Sequence, residues 1–240
     1  MHDILRFTDL SPEMRDKILK GVLKVYRDCN ITSLPIDCFE IINHYSFKLY
    51  SYTELREKNL ELYEICKSWS NDAFSWNGII AYNERILPSR IRFSLLHELG
   101  HYILNIPSTS QAFESIVDYF TSYLLAPRVL IHKCGYGNSD QIRNAFNIST
   151  QAANNALIDY KIWFQYICRT TREISKSEIE LEQIFFPEVR EEAKSKLKRK
   201  ARLSPETERC ISFFDDLSAE RGGNYMFRRA ESQWLYGNDY

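Results

Sequence analysis

In "SPEMRDKILKGVLKVYRD" the apolar residues Met14, Ile18, Val22 and Val25 recur at helical spacing, with Ser11 placed to cap the N-terminus and Pro12 at the first helical position. The pattern predicts an amphipathic helix docked on a core. "LPIDCFEIINHY" predicts a second, shorter helix, whereas "SFKLYSY" alternates and carries aromatic residues in the manner of a strand. "TELREKNLELYEICKSW" reads as a third helix, and "FSWNGIIAYN" as a turn at Gly78 leading into a strand. In "PSRIRFSLLHELGHYILN", Ser89 is expected to cap a helix running from about Arg90 to Asn105. "FESIVDYFTSYLLAPRVLI" continues as a helix that Pro127 interrupts or closes, and "SDQIRNAFNISTQAANNALIDYKIW" divides into two helices at "NIS", Ser149 capping the second. Two or three strands among this many helices predict an α+β fold, mainly helical, with a small sheet packed on helices. The organisation expected is a domain over residues 1–168, in which 139–163 form a helix-turn-helix-like pair, followed over 169–240 by a charged, mainly helical C-terminal extension.

Composition narrows the function classes. The chain has 240 residues, of which 44% are hydrophobic, enough for a substantial core, and a formal net charge of -1. Such a balance gives no global attraction to nucleic acid or to an anionic membrane. The six cysteines, at positions 29, 38, 66, 134, 168 and 210, form no C-x-x-C pair, which points to buried, reduced thiols. "MHDILRFTDLSPEMRDK" does not resemble a signal peptide and no run of about eighteen apolar residues occurs, so a cytoplasmic location without a membrane partner is expected.

Candidate chemistry is concentrated in "HELGH". On a helix, His97 and His101 lie one turn apart on one face and can direct ring nitrogens at one point about 2.0 Å from each. Glu98, the next residue round, is placed to act as a general base; this is the H-E-x-x-H arrangement of zinc hydrolases. The bland alternative is a core helix with two satisfied histidines and a surface glutamate. A catalytic zinc needs a third protein ligand. A histidine six residues after the second is absent, because that position is Pro107, so the search moves to the next helix. There Glu114 and, one turn later, Asp118 sit among Phe113, Ile116, Val117, Tyr119 and Phe120, and acidic groups on so apolar a helix require a partner. Glu114 suits a ligand, and Asp118 a carboxylate that fixes the tautomer of a ligand histidine. Two alternatives stay open: that both face solvent, and that His132 supplies the third ligand. Tyr102, Tyr119 and Tyr123 lie nearby but read as packing residues, and no oxyanion donor is identified.

"RIRFSLLHELGHYIL" followed by "FESIVDYFTSYLLAP" resembles the ImmA/IrrE family of metallopeptidase-like proteins, with further likeness in "LPIDCFEII", "YNERILPSRIRF" and "NISTQAA", over roughly residues 12–165. The resemblance implies a zincin-like fold and a zinc site of His97, His101 and Glu114, with Asp118 where relatives have Asn or Asp and Glu98 as the catalytic base. It also implies a protein substrate, such as a helix-turn-helix repressor or antitoxin of a mobile element or stress regulon. Ile116 and Val117 depart from the Glu-Ala more usual before Asp118, and the paired-cysteine ending of some relatives is missing.

Two other classes compete with a zinc endopeptidase. One is a DNA-binding regulator using 139–163, whose second helix offers only Lys161, at its far end, for phosphate contacts, although Lys194, Lys196, Lys198, Arg199, Lys200 and Arg202 form a better basic patch. Nucleic acid is accordingly not expected as a partner. The other is a catalytically silent interaction module, one half of a toxin-antitoxin-like pair, that keeps the peptidase fold as a binding surface.

Overall fold

A computed structural model describes residues 4–107, 110–170 and 174–187. The elements follow the order α1 (Pro12–Asp28), α2 (Cys38–His44), β1 (Lys48–Ser51), α3 (Tyr52–Lys58), α4 (Leu60–Trp69), β2 (Ala73–Trp76), β3 (Ile79–Tyr82), α5 (Pro88–Leu104), α6 (Gln111–Leu125), α7 (Arg128–Lys133), α8 (Ser139–Phe146), α9 (Thr150–Thr170) and α10 (Lys176–Phe185). The fold is α+β and mainly helical, with one three-stranded sheet in the order β1-β3-β2.

Local sequence explains most boundaries. Ser11 accepts a hydrogen bond from the Met14 amide and Pro12 opens α1, as the cap and proline pattern predicts. The single helix expected over 53–69 is instead two, because Asn59 leaves helical geometry (φ -154°) and its side chain caps α4 through the Leu62 amide at 2.9 Å. Its first half starts with a Ser51–Glu54 capping box. Ser89 does not cap α5: that helix starts one residue earlier, at Pro88, whose missing amide and fixed φ suit a first turn. Pro127 closes α6 and leads into α7.

The sheet lies between two helical layers. β2 and β3 form an antiparallel hairpin through Asn77 and Gly78, both at positive φ, and β1 joins β3 in parallel. Alternation then separates the faces. Ala81 packs with Tyr52, Leu55 and Cys66 of α3 and α4, while Ile80 faces the main core with Leu95, Leu96 and Leu99 of α5. Phe120, Tyr123 and Leu124 of α6 and Ile18 and Val22 of α1 complete that core.

The helical pair expected over 139–163 is α8 and the longer α9, joined through Asn147 in left-handed geometry. Its inner faces are spent on the core: Ile142, Phe146, Ala153, Ala156 and Trp163 are buried. The pair is also stapled to α5, because the buried Arg92 guanidinium donates to the carbonyls of Phe146, Asn147 and Ile36. The boundary expected at 168/169 falls inside α9, and the compact unit continues to Phe186, with α10 packed on α1 and α7. The rest of the expected C-terminal extension, including the basic patch at 194–202, lies outside the described residues.

Candidate metal centre

α5 and α6 pack tightly enough to share a site because Gly100 faces α6. A Cβ there would stand 2.8 Å from Val117 Cγ1 and 2.9 Å from Phe120 Cδ1, closer than real side chains approach. The contact brings Glu114 across to the two histidines. His97 Nε2 lies 3.0 Å from Glu114 Oε2 and 3.1 Å from His101 Nε2, and His101 Nε2 lies 3.6 Å from Glu114 Oε1.

These three atoms all offer lone pairs. His101 Nδ1 lies 2.8 Å from the Ile106 carbonyl, which can only accept, so Nδ1 carries a proton and, in the neutral ring, Nε2 is the acceptor. His97 Nδ1 donates in the same way to Asp118 Oδ1 at 2.9 Å. Each ring, when neutral, therefore turns an acceptor toward the carboxylate of Glu114. Three acceptors about 3 Å apart repel one another unless a cation or a proton stands among them. Tetrahedral zinc with bonds of roughly 2.0–2.1 Å would set its ligands about 3.3 Å apart, and the observed separations bracket that value. The donor set of two imidazoles and one carboxylate fits a metal ion, and His97, His101 and Glu114 are the residues that could hold one.

The alternatives left open by the sequence separate cleanly. Asp118 reaches the far nitrogen of His97 rather than the convergent point. His132 sits elsewhere, its Nδ1 3.1 Å from Tyr160 Oη and its ring against Trp163 and Phe164. Tyr119 and Tyr123 are buried and donate to Asp159 and Glu178, and Tyr102 packs edge-on against Phe47 and Tyr45.

Protonation follows the geometry. Burial alone would lower His97, but its hydrogen bonds to Asp118 and Glu114 carry it up to about 9 without metal. Burial raises Glu98, while hydrogen bonds from Ser75 and the nearby His97 and His101 pull it back. Sequence reasoning missed two contributors, the Ser75 donors and the Ile106 carbonyl. The first reaches Glu98 only through tertiary packing of β2 on α5. The second comes from the turn after Asn105, whose left-handed geometry ends α5 and folds the chain back on His101.

The centre lies in a cleft of about 700 Å³ whose lining includes Glu98, Ser75, Trp76, Trp69, Glu114 and Asp118. Residues 59–157 match the Peptidase_M78 family, the IrrE N-terminal-like domain. That stretch is similar to an IrrE N-terminal-like domain. The matched segment is narrower than the resemblance traced over 12–165, yet it spans α4 through the first two turns of α9 and so every residue of the centre. No curated protein matches the chain. The matched family is a peptidase family, and no helix among the described residues is long and apolar enough to cross a membrane.

Proposed function

We propose that the protein is a zinc-dependent endopeptidase of narrow specificity that hydrolyses a peptide bond in a protein substrate. The observation that carries the reading is the convergence of three lone-pair donors at the spacing of a tetrahedral site, with a glutamate beside them in an open cleft. Zinc held there would polarise the scissile carbonyl and make water a nucleophile near neutral pH.

His97 and His101 present Nε2, and Glu114 presents its carboxylate. Asp118 and the Ile106 carbonyl hold both rings in the tautomer that leaves those nitrogens free of protons. Glu98, on the same helix and facing the cleft, accepts the proton of the attacking water and passes it to the leaving amine. Such proton transfer is worth about 10²–10⁴ in rate. The substrate proposed is a helix-turn-helix repressor or antitoxin, a reading that rests on the family resemblance and is tested by incubating the protein with such a regulator encoded beside it.

The enzyme reading is tested with the full-length chain. Purified protein should carry zinc near one equivalent, and Glu98→Gln should keep that zinc while hydrolysis falls by about 10²-fold or more. Undiminished hydrolysis by Glu98→Gln would remove Glu98 from the mechanism. Protein that takes up no zinc would turn the reading toward a silent interaction module.

A further inference from the structure

Ser75 sends both its main chain and its side chain to one atom. In the antiparallel register Phe74 stands opposite Ala81 and Trp76 opposite Ile79, and the Asn83 amide donates to the Asp72 carbonyl. Hydrogen-bonded pairs alternate along such a ladder, so the Ser75 amide points away from β3. Because β2 is an outer strand of the sheet, that amide crosses a free edge. An outward amide at an edge normally turns to water or to another strand. Here it donates to Glu98 Oε2 at 3.0 Å, and the Ser75 hydroxyl donates to the same oxygen at 2.6 Å.

Glu98 Oε1 has no hydrogen-bond partner among the described residues, and Glu98 lines the cleft. We propose that Ser75 is a positioning residue for Glu98: by holding Oε2 with two donors it fixes the carboxylate in one orientation and leaves Oε1 as the oxygen that takes the proton. The assignment rests on the peptidase reading above. Strand placement does not need the hydroxyl, since β2 is already tied to β3 by its ladder and to α4 by the stacking of Phe74 on Trp69. A glutamate side chain left with the amide alone retains rotational freedom about its long arm, and a general base must lie within hydrogen-bond reach of the proton it removes. Ser75 is also distinct from the metal donors, because its hydrogen bonds go to Glu98 and not to His97, His101 or Glu114.

The test uses full-length zinc-loaded protein and a fluorescence-quenched peptide library as the probe, comparing wild type with Ser75→Ala, Ser75→Thr and Glu98→Gln. Loss of one charge-assisted hydrogen bond should lower kcat on the order of tenfold in Ser75→Ala. KM and zinc affinity should stay unchanged, and Ser75→Thr, which restores a hydroxyl, should recover most of the rate. Wild-type kcat in Ser75→Ala beside an inactive Glu98→Gln overturns the positioning role and leaves the peptidase reading standing. A second readout needs no substrate: the Ser75 amide proton, shifted downfield by a carboxylate acceptor, should move upfield in Glu98→Ala. An unmoved resonance overturns the proposal. If the amide moves but the wild type cleaves neither the peptide library nor the regulator encoded beside it, the hold on Glu98 stands and the peptidase reading falls.

Discussion

Helix α6 serves two polar clusters of opposite character. Toward its C-terminal half, Tyr119 and Tyr123 belong to networks in which every acceptor has a donor. Asp159 accepts from the Phe7 amide at 2.7 Å, from Tyr119 Oη at 2.9 Å and from Arg128 Nε at 2.8 Å, and the charges of Arg128 and Asp159 cancel. Glu178 accepts from Tyr123 Oη, Trp163 Nε1 and both Ser175 donors, which seats α10 on the core. Toward its N-terminal half, Glu114 and Asp118 serve a cluster whose donors point outward and whose acceptors meet in the middle. Burying polar groups is tolerated when donors and acceptors balance. A cluster balanced within itself holds the fold together, and one short of a positive centre is a place for a ligand.

Removing one member should therefore do opposite things on the two sides. His101→Ala takes away one of three donors, and zinc affinity should fall by well over the roughly 10–100-fold that outer partners are worth. Metal titration followed by competition with a chelator measures it. The metal-free variant should unfold at about the same denaturant concentration as the wild type. Retained tight zinc binding would show that His101 is not a ligand. Arg128→Met should act in reverse: it strands the buried Asp159 carboxylate at a cost of about 3–5 kcal/mol, visible in urea unfolding, while the protein that remains folded binds zinc as before.

Acidity sharpens the contrast, because the acceptor-rich centre recruits a proton when it has no metal. His97 is carried from 6.5 up to about 9 in that state. A raised folded-state value means that the stabilisation is complete below about pH 6.5 and is lost as pH rises through about 9, a total on the order of 3–4 kcal/mol at most. Zinc makes the opposite demand, since it binds the neutral ring. Urea unfolding of metal-free protein should show falling stability across that window, and zinc affinity should rise over the same range. A metal-free stability that stays flat from pH 6.5 to 9 would sink the assignment.

What was legible in the sequence follows from the range of the interactions. His97 and His101 were readable because helix geometry alone sets their spacing, and Glu114 because a carboxylate on an apolar helix demands a partner. The choice between Glu114 and Asp118 was chemical reasoning, and the two carboxylates meet opposite nitrogens of His97. The two-helix nature of 52–69 was also written locally, in the Ser51–Glu54 box and in Asn59, but continuous helical patterning on either side masked it. Ser89 misled because a serine after a proline is a weaker start signal than the proline itself. Ser75, Arg92 and the Ile106 carbonyl were beyond reach. Each acts through a contact set by how separate elements pack, and nothing in the residue or its neighbours announces the partner.

The smallest effect expected concerns the side chain between the two kinds of cluster. Asp118 is exposed on α6, one position before the buried Tyr119, and touches the centre only through His97 Nδ1. Asp118→Ala removes the acceptor that fixes the ring, freeing His97 to place its proton on Nε2, where a metal must bind. Zinc affinity should drop about 10–100-fold. Asp118→Asn keeps an oxygen at that position and gives up only the negative charge, so its loss should be smaller than that of Ala. Titration of the three proteins with zinc at one pH ranks them. If Asn and Ala weaken binding equally, the charge of Asp118 matters more than its hold on the tautomer; if neither weakens it, His97 is oriented by the packing of Phe93 against its ring instead.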